Sequence, residues 1–360
     1  MSRGVCLPVH PESFHDPNII YVGEPTTLPA NAAPPVDVYV ADLSEDNAFR
    51  IAANTGVKTP IPGASYAFAL ASDRSGNVFL AEPGNLGVIK LPAGGGPETI
   101  LADGLVQPDG VAVDWADNVY TVGKTLDAGS TFKALKIPAD GGPPIVIWTE
   151  TERIPSAIAV DIPGNVYIYT EHQTTILPIA VVKIPADGGP EIVINVARND
   201  AGNAFAVDPS GQHVYFGDGD QIVKVPVNGG PPARLGTNLR GASGVAVDAA
   251  GNVYITDLYN NRIVQIPADS GPQVTIGRTR WPVNVAVQPT LVFNRHPPNL
   301  IRELLGGLDR DGGTGLVIGN HFIPIPPRSP VMSIIAQAAA PYLARAIESP
   351  ELGEHIRTLK

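Results

Sequence analysis

Short runs of apolar, β-forming residues recur along the middle of the chain, each ended by a polar turn. One unit has an apolar run at 245–247, a turn that begins at Asp248, and a second run at 253–255. Such runs, bounded by Asp, Gly and Asn, are typical of strands joined by tight turns. A third run ends in proline, which lacks the backbone donor of a strand interior, and a Gly-Pro turn leads to a fourth. Each unit therefore predicts four short strands.

The unit occurs five times. Its turn aspartates are Asp73, Asp114, Asp161, Asp208 and Asp248, separated by 40 to 47 residues. A second landmark recurs in phase, where the residue two before a proline is Lys90, Lys136, Lys183, Lys224 or Gln265. Four antiparallel strands in roughly 40–45 residues have the size of a propeller blade. The repeat therefore predicts a β-propeller.

The two ends of the repeat region complete one another. Residues 38–61 contain strands two to four of a unit without a first strand, and 284–287 form a first strand without a continuation. Joining them makes a sixth blade, and closure removes two exposed sheet edges. We predict an all-β, six-bladed propeller over 36–289, closed by three N-terminal strands plus one C-terminal strand. The N-terminal extension is then 1–35 and the C-terminal extension 290–360.

Two features of the repeat are predicted to be structural. The residue before each first-strand run is small in five units and Asn284 in the sixth, which indicates crowding near the axis. The small residues are Ala69, Gly110, Ala157, Ala204 and Gly244. The turn aspartates are expected to accept backbone N–H bonds rather than to catalyse. His213, in one of these turns, is expected to be plain surface.

Composition narrows the function classes. Hydrophobic residues make up 44% of the 360 residues and charged residues 16%, which argues against disorder. A net charge of −11 argues against a nucleic-acid-binding surface. The single cysteine, Cys6, leaves no internal disulfide and no Cys-based zinc cluster. No apolar run reaches 18 residues, so we expect no membrane span and a cytoplasmic location by default; secretion by another route is compatible with the same observations.

The unit at 244–264 resembles an NHL repeat. Six-bladed NHL propellers include the extracellular sensor domains of some bacterial receptor Ser/Thr kinases, to which 107–114 and 169–172 are similar in style. The resemblance implies the fold over the repeat region, but propellers host many activities. It leaves open a propeller that binds a small ligand or a protein partner. It also leaves open a metal-dependent lyase or hydrolase, like the related lactonases that hold a metal in the central channel.

The family resemblance implies a site at one mouth of the channel, lined by residues that precede the first strands. These are Phe68, Asp109, Ser156, Asn203, Ser243 and Val283, with Asn284 next. Oxygen ligands suit a hard cation, so Asp109 and Asn284, with Asn203, are candidates for a Ca, Mg or Zn site; the alternative is that they cap strands. Arg240, Arg280 and Trp281 are candidates for an anionic or sugar-like ligand; alternatively, Trp281 packs between blades.

Two neighbouring units carry longer loops between strands two and three. The spans 120–136 and 167–183 each exceed the corresponding spans 39–50, 79–90 and 254–265 by five residues. Because longer loops on a regular scaffold often bind ligands, Lys124 is a candidate ligand contact. Glu171 and His172 form an acid–imidazole pair that is the candidate catalytic base or metal ligand. The alternative is a solvated loop histidine.

The C-terminal extension carries its own signals. Two apolar runs flank Gly319 and Asn320, a pair typical of a two-residue hairpin turn. Residues 300–305 indicate a short helix, and apolar residues at helical spacing over 334–347 indicate an amphipathic one. Its apolar face must be buried, against the propeller, against a second copy in a homo-oligomer, or against a partner.

Overall fold

The chain folds into short antiparallel sheets in a computed structural model. It describes residues 35–44, 47–64, 67–81, 87–101, 105–125, 131–172, 179–196, 204–269, 271–289, 315–318 and 321–324. Among these residues there are six four-stranded sheets and one two-stranded sheet. No α-helix occurs within these ranges, and the one helical element is a 3-10 turn at Leu258–Asn260.

Each four-stranded sheet is one blade. Blade 1 contains β1 (Val38–Asp42), β2 (Asn47–Ile51), β3 (Lys58–Ile61) and β24 (Pro282–Val287). Blade 2 contains β4 (Ala69–Ser72), β5 (Val78–Ala81), β6 (Val88–Leu91) and β7 (Thr99–Ile100). Blade 3 contains β8 (Leu105–Val113), β9 (Val119–Thr125), β10 (Phe132–Ile137) and β11 (Ile145–Glu150).

The other three blades follow in chain order. Blade 4 contains β12 (Arg153–Val160), β13 (Val166–His172), β14 (Ala180–Ile184) and β15 (Ile192–Asn195). Blade 5 contains β16 (Phe205–Val207), β17 (His213–Asp218), β18 (Gln221–Pro226) and β19 (Ala233–Leu235). Blade 6 contains β20 (Ala242–Val247), β21 (Val253–Asp257), β22 (Arg262–Ile266) and β23 (Val274–Arg278).

The ring closes through blade 1. Its innermost strand, β24, pairs antiparallel with β1, so that Val285 lies opposite Val40 and Val287 opposite Val38. The innermost strands, β24, β4, β8, β12, β16 and β20, each contact the next around the ring. The predicted six-bladed, all-β propeller and its closure by three N-terminal strands and one C-terminal strand are confirmed.

The apolar core is divided among the interfaces between blades. Six separate clusters of buried side chains fill the six interfaces, one for each neighbouring pair of blades. Four blades add a contact between a third-strand lysine and a second-strand aromatic ring, as between Lys183 and Tyr167 at 5.4 Å. The recurring lysine noted in the sequence therefore covers a buried aromatic residue.

Small residues stand on the innermost strands because neighbouring backbones approach closely. A Cβ atom on Gly110 would lie 3.0 Å from the Ile158 backbone nitrogen of blade 4. A Cβ atom on Gly244 would lie 2.8 Å from the Asn284 Cα of blade 1. The predicted crowding is confirmed, and its source is the next innermost strand rather than the axis itself.

The C-terminal extension contributes one described element. Strand β25 (Gly315–Ile318) pairs antiparallel with β26 (His321–Pro324), and Ile318 lies opposite His321. The predicted hairpin with a two-residue turn is confirmed. The helices predicted at 300–305 and 334–347 lie outside the described residues. Nowhere in the described ranges is a helix of sufficient length and apolar character to cross a membrane.

Candidate functional site

The two faces of the propeller are named here by the direction of the innermost strands. Those strands begin at the upper face and end at the lower face. The turns that start with the repeated aspartates therefore lie on the lower face. The connections between second and third strands, including the longer ones of blades 3 and 4, lie on the upper face.

At the upper mouth, four innermost strands carry a β-bulge at the position singled out in the sequence. The register shifts across Asp109 in β8, Ser156 in β12, Ser243 in β20 and Val283 in β24. A bulge places one extra residue outside the regular ladder and turns its side chain away from the sheet. At the upper mouth, four side chains therefore point away from the regular direction of their strands.

Asp109 is the bulged residue of blade 3. None of the described residues gives its carboxyl group a hydrogen-bond or ion-pair partner. Burial raises the pKa of Asp109 from its ordinary value of 3.8 to about 6, because desolvation disfavours the carboxylate. A carboxyl group left in this state has unused hydrogen-bonding capacity.

Ser156 occupies the same position on the neighbouring blade. Its Oγ is buried and has no hydrogen-bond partner among the described residues. Ser243 shows how a bulged serine is satisfied within the fold, since its Oγ donates to the Pro282 carbonyl at 2.9 Å and lies 3.0 Å from Thr256 Oγ1. The contrast singles out Ser156, because a buried hydroxyl without a partner is costly.

Phe68 lies on the other side of Asp109. It immediately precedes β4, the innermost strand that contacts β8, and its side chain is 44% exposed. Phe68, just before β4, thus holds the position that Asp109 holds in β8 and Ser156 in β12, the next two innermost strands around the ring. We call these three residues the upper-mouth cluster. It combines an exposed aromatic ring, a carboxyl group and a hydroxyl group.

Blades 3 and 4 are taller than the others on this face. Their second strands, β9 and β13, have seven residues each, whereas β5 has four and β21 has five. Part of the length predicted for loops therefore extends the strands. Lys124 is exposed in β9, Glu171 lies partly buried in β13, and His172 ends that strand. The side chain of His172 lies outside the described structure.

The other predicted site residues are spread around the mouth. The Arg240 backbone N–H donates to Asp257 Oδ1 at 2.7 Å, while its side chain is exposed. The Trp281 carbonyl accepts from the Leu43 N–H at 3.1 Å, and its partly buried side chain has further contacts. Asn203 lies outside the described residues.

The two predicted metal ligands are on different, non-adjacent strands. Asn284 pairs with Ala41 in blade 1, and β4 stands between its strand and that of Asp109. Within the described part of the chain, no group of three or more His, Cys, Asp and Glu side chains is positioned to hold a metal ion. The residues shown at the mouth thus supply separate oxygen ligands rather than a preformed set.

On the lower face, the repeated aspartates organise the turns as predicted. Asp248 Oδ1 accepts from the Ala250 and Asn252 N–H groups at 2.9 Å, and Oδ2 accepts from the Asn252 side chain and the Tyr254 hydroxyl. The same bonds to the asparagine side chain recur at Asp73, Asp114 and Asp161. Burial, with the nearby carboxylate, raises the pKa of Tyr254, which keeps its hydroxyl protonated as a donor.

His213 departs from the prediction of plain surface. Its Nδ1 lies 2.7 Å from Asp208 Oδ2, in the place that an asparagine side chain takes in the other turns. The sequence contained a signal for this role of His213. Asp, Asn and Tyr recur at fixed spacing in the turns, and blade 5 alone has a histidine one residue after the position of the asparagine. His213 is therefore part of the turn.

A cavity of about 120 Å³ opens at the lower mouth, which sequence reasoning missed. Its lining includes three turn aspartates, the residues that follow turn aspartates (Trp115, Ile162, Pro209 and Ala249), and Pro289 at the end of the described propeller. Their side chains are mostly apolar, and the aspartate carboxylates beside them are already hydrogen-bonded within the turns. Two further buried polar atoms on this face, Arg74 Nε and Asp117 Oδ1, have no partner among the described residues, but the two side chains form an ion pair with each other at 2.9 Å. At the upper mouth, by contrast, a carboxyl group and a hydroxyl group have no described partner at all.

Comparison with known proteins finds a family match for one repeat of the chain and solved structures with a similar fold. The family model for the NHL repeat matches residues 239–266. A chain from the crystal structure of a nidogen/laminin complex is 16% identical, with a TM-score of 0.56, over 70% of this chain and 98% of that chain. Among curated proteins, none matches.

Two solved bacterial enzymes are also similar, at lower scores. A gluconolactonase from Xanthomonas campestris is 17% identical, with a TM-score of 0.49, over 60% of this chain and 77% of that chain. A catalytically inactive virginiamycin B lyase from Staphylococcus aureus, solved with quinupristin, is 14% identical, with a TM-score of 0.45, over 71% of this chain and 87% of that chain. At these identities the similarity concerns the propeller fold alone.

Proposed function

Because the chain is an NHL-repeat β-propeller of six blades, we propose that it binds a ligand at the upper mouth of its channel. The site is the upper-mouth cluster, bordered by the taller blades 3 and 4. One observation carries the proposal. Asp109 and Ser156, on adjacent innermost strands, hold polar groups that no described residue satisfies, whereas the equivalent bulged serine of blade 6, Ser243, is hydrogen-bonded.

Unsatisfied groups of this kind are unusual in a repeated scaffold. Buried polar atoms in folded proteins are nearly always paired, and the repeated turn aspartates Asp73, Asp114, Asp161 and Asp248 follow that rule. A ligand that supplies the missing hydrogen bonds would recover the desolvation cost of both groups. Ligand binding would therefore explain why the protein keeps two unpaired polar groups that lower its stability.

The rim supplies further candidate contacts. Lys124 is exposed on the taller second strand of blade 3, and Glu171 stands at the matching height on blade 4. Arg240 and Trp281 belong to the far side of the mouth, where they would contact only a larger ligand or a protein partner. Asn203, outside the described residues, stays a sequence-based candidate. In this proposal Asp109 and Ser156 bind the ligand, and the residues of the rim determine which ligands fit.

The test is a ligand-observed NMR screen of a chemically diverse fragment set against the full chain. We expect binders whose signals weaken with Asp109→Asn and with Ser156→Ala. The matched control is Glu191→Gln, which removes an exposed acid that precedes β15 on the outer edge of blade 4. Fragments that bind all variants equally, or the absence of any binder, would overturn the proposal.

A metal-dependent lyase or hydrolase is the alternative to be distinguished. If Asp109 and Asn284 hold Ca, Mg or Zn, the purified protein will contain about one equivalent by elemental mass spectrometry. That metal would be lost on Asp109→Asn or Asn284→Ala and retained on Glu191→Gln. This result would replace the ligand site with a metal site, whereas organic fragments that bind metal-free protein would support the proposal.

A further inference from the structure

We infer that the upper-mouth cluster recognises an organic ammonium ion. The inference rests on the proposed function and names the chemical class of its ligand. Asp109 supplies a carboxylate, Ser156 a hydroxyl acceptor, and Phe68 an exposed aromatic ring, at equivalent positions on or just before three consecutive innermost strands. An alkylammonium group matches all three, because it carries positive charge, N–H donors and an apolar part.

The negative charge of Asp109 indicates that the ligand is positively charged. The described residues place no cation on Asp109, and exposed Lys124 on the same blade forms no ion pair with it. A carboxylate without a counter-ion in a desolvated position repels anions and gains most from a cation. The net charge of −11 adds a long-range attraction in the same direction.

The aromatic ring of Phe68 favours an organic cation over a metal ion. Calcium requires six to eight oxygen ligands and magnesium six, whereas the position beside Asp109 on blade 2 is held by Phe68, which has no oxygen on its side chain. A phenyl face attracts an ammonium or its methyl groups through the quadrupole of the ring. With 44% of its surface exposed, Phe68 is open for such a contact.

The unpaired hydroxyl of Ser156 favours a ligand that has more than one N–H donor. An ammonium that donates one N–H to the carboxylate has further N–H groups for the serine Oγ. In the equivalent place on blade 6, Ser243 bonds to the backbone of the next blade, whereas Ser156 Oγ has no partner in the described structure. A primary ammonium is therefore expected to bind more tightly than a quaternary one.

The experiment compares three butyl probes of different charge, and one quaternary ammonium without N–H groups, on the full chain. Butylammonium, tetramethylammonium, butanol and butyrate are titrated by NMR at pH 7.5 and low salt. We expect butylammonium to bind at least about tenfold more tightly than butanol, since a charge-assisted bond is roughly twice as strong as a neutral one. Butyrate should not bind.

Variants then assign the contacts. Asp109→Asn should weaken butylammonium about tenfold, and Phe68→Ala about two- to fivefold, the range of an exposed cation–π contact. Ser156→Ala should weaken butylammonium but leave tetramethylammonium unchanged, because the latter has no N–H to donate. Glu191→Gln should bind both probes as the parent chain does.

Three outcomes would overturn the inference, and the first two separate it from the proposed function. If the cluster binds neutral or anionic fragments in an Asp109-dependent way and not the ammonium probes, the ligand class is wrong and the binding site stands. If butanol binds as tightly as butylammonium, the charge argument is wrong. If no fragment of any class depends on the cluster, the inference and the proposed function both fail.

Discussion

Replacing Asp109 with asparagine should make the folded protein more stable at neutral pH. Asparagine keeps the shape of the side chain and removes its charge. Burial raises the pKa of Asp109 from 3.8 to about 6, so ionising this group in the folded state costs more than in the unfolded chain. At about 1.4 kcal/mol for each unit of pKa, the difference amounts to about 3 kcal/mol.

The sign follows from proton binding. Between about pH 4 and pH 6 the folded chain keeps the Asp109 proton while the unfolded chain releases it. The contribution of this group to stability is therefore present below pH 4 and lost as the pH rises through 6. Asparagine cannot titrate, so the difference in the free energy of unfolding between the variant and the parent should grow between about pH 4 and pH 6.

The assay is urea unfolding of both proteins at several pH values from 4 to 8. Asp109→Asn should match the parent near pH 4 and exceed its free energy of unfolding by up to about 3 kcal/mol at pH 7.5. Glu191→Gln, the exposed control, should show no such change. A gap that varies by less than about 0.5 kcal/mol over this range, near the error of the method, would refute the reasoning.

Three further predictions concern the propeller itself. Gly244→Ala should destabilise by about 1–3 kcal/mol, because its Cβ would meet the backbone of blade 1; Gly94→Ala, with nothing within 4 Å, should be within about 0.5 kcal/mol of the parent in urea unfolding. Tyr254→Phe should cost about 1–2 kcal/mol by the same assay, since the hydroxyl bonds to a buried turn carboxylate. A chain ending at residue 280 lacks β24 and should lose the cooperative thermal transition, whereas one ending at 289 should retain it; a cooperative transition in the shorter chain would contradict closure by that strand.

Local sequence determined much of the fold. Short apolar runs, and turns that begin with Asp and end with Gly-Asn, specify strands within windows of a few residues, which is why the blades and the closure of the ring were predicted correctly. The role of the turn aspartates was equally local, since Asp248 binds groups only two to six residues away. The hairpin at 315–324 was predicted for the same reason.

Tertiary structure decided the candidate site. Phe68, Asp109 and Ser156 are some 40 residues apart in sequence, and only ring closure sets them on or just before consecutive strands. The bulges that re-aim two of them arise from pairing with a second strand.

The physical division is between interactions that a short segment makes with itself and those that depend on burial. Strand pattern and turn hydrogen bonds belong to the first kind, and the sequence alone determined them. The pKa of Asp109, the missing partner of Ser156 and the exposure of Phe68 belong to the second. They depend on which groups from neighbouring blades approach and which do not, and a linear pattern does not contain that information.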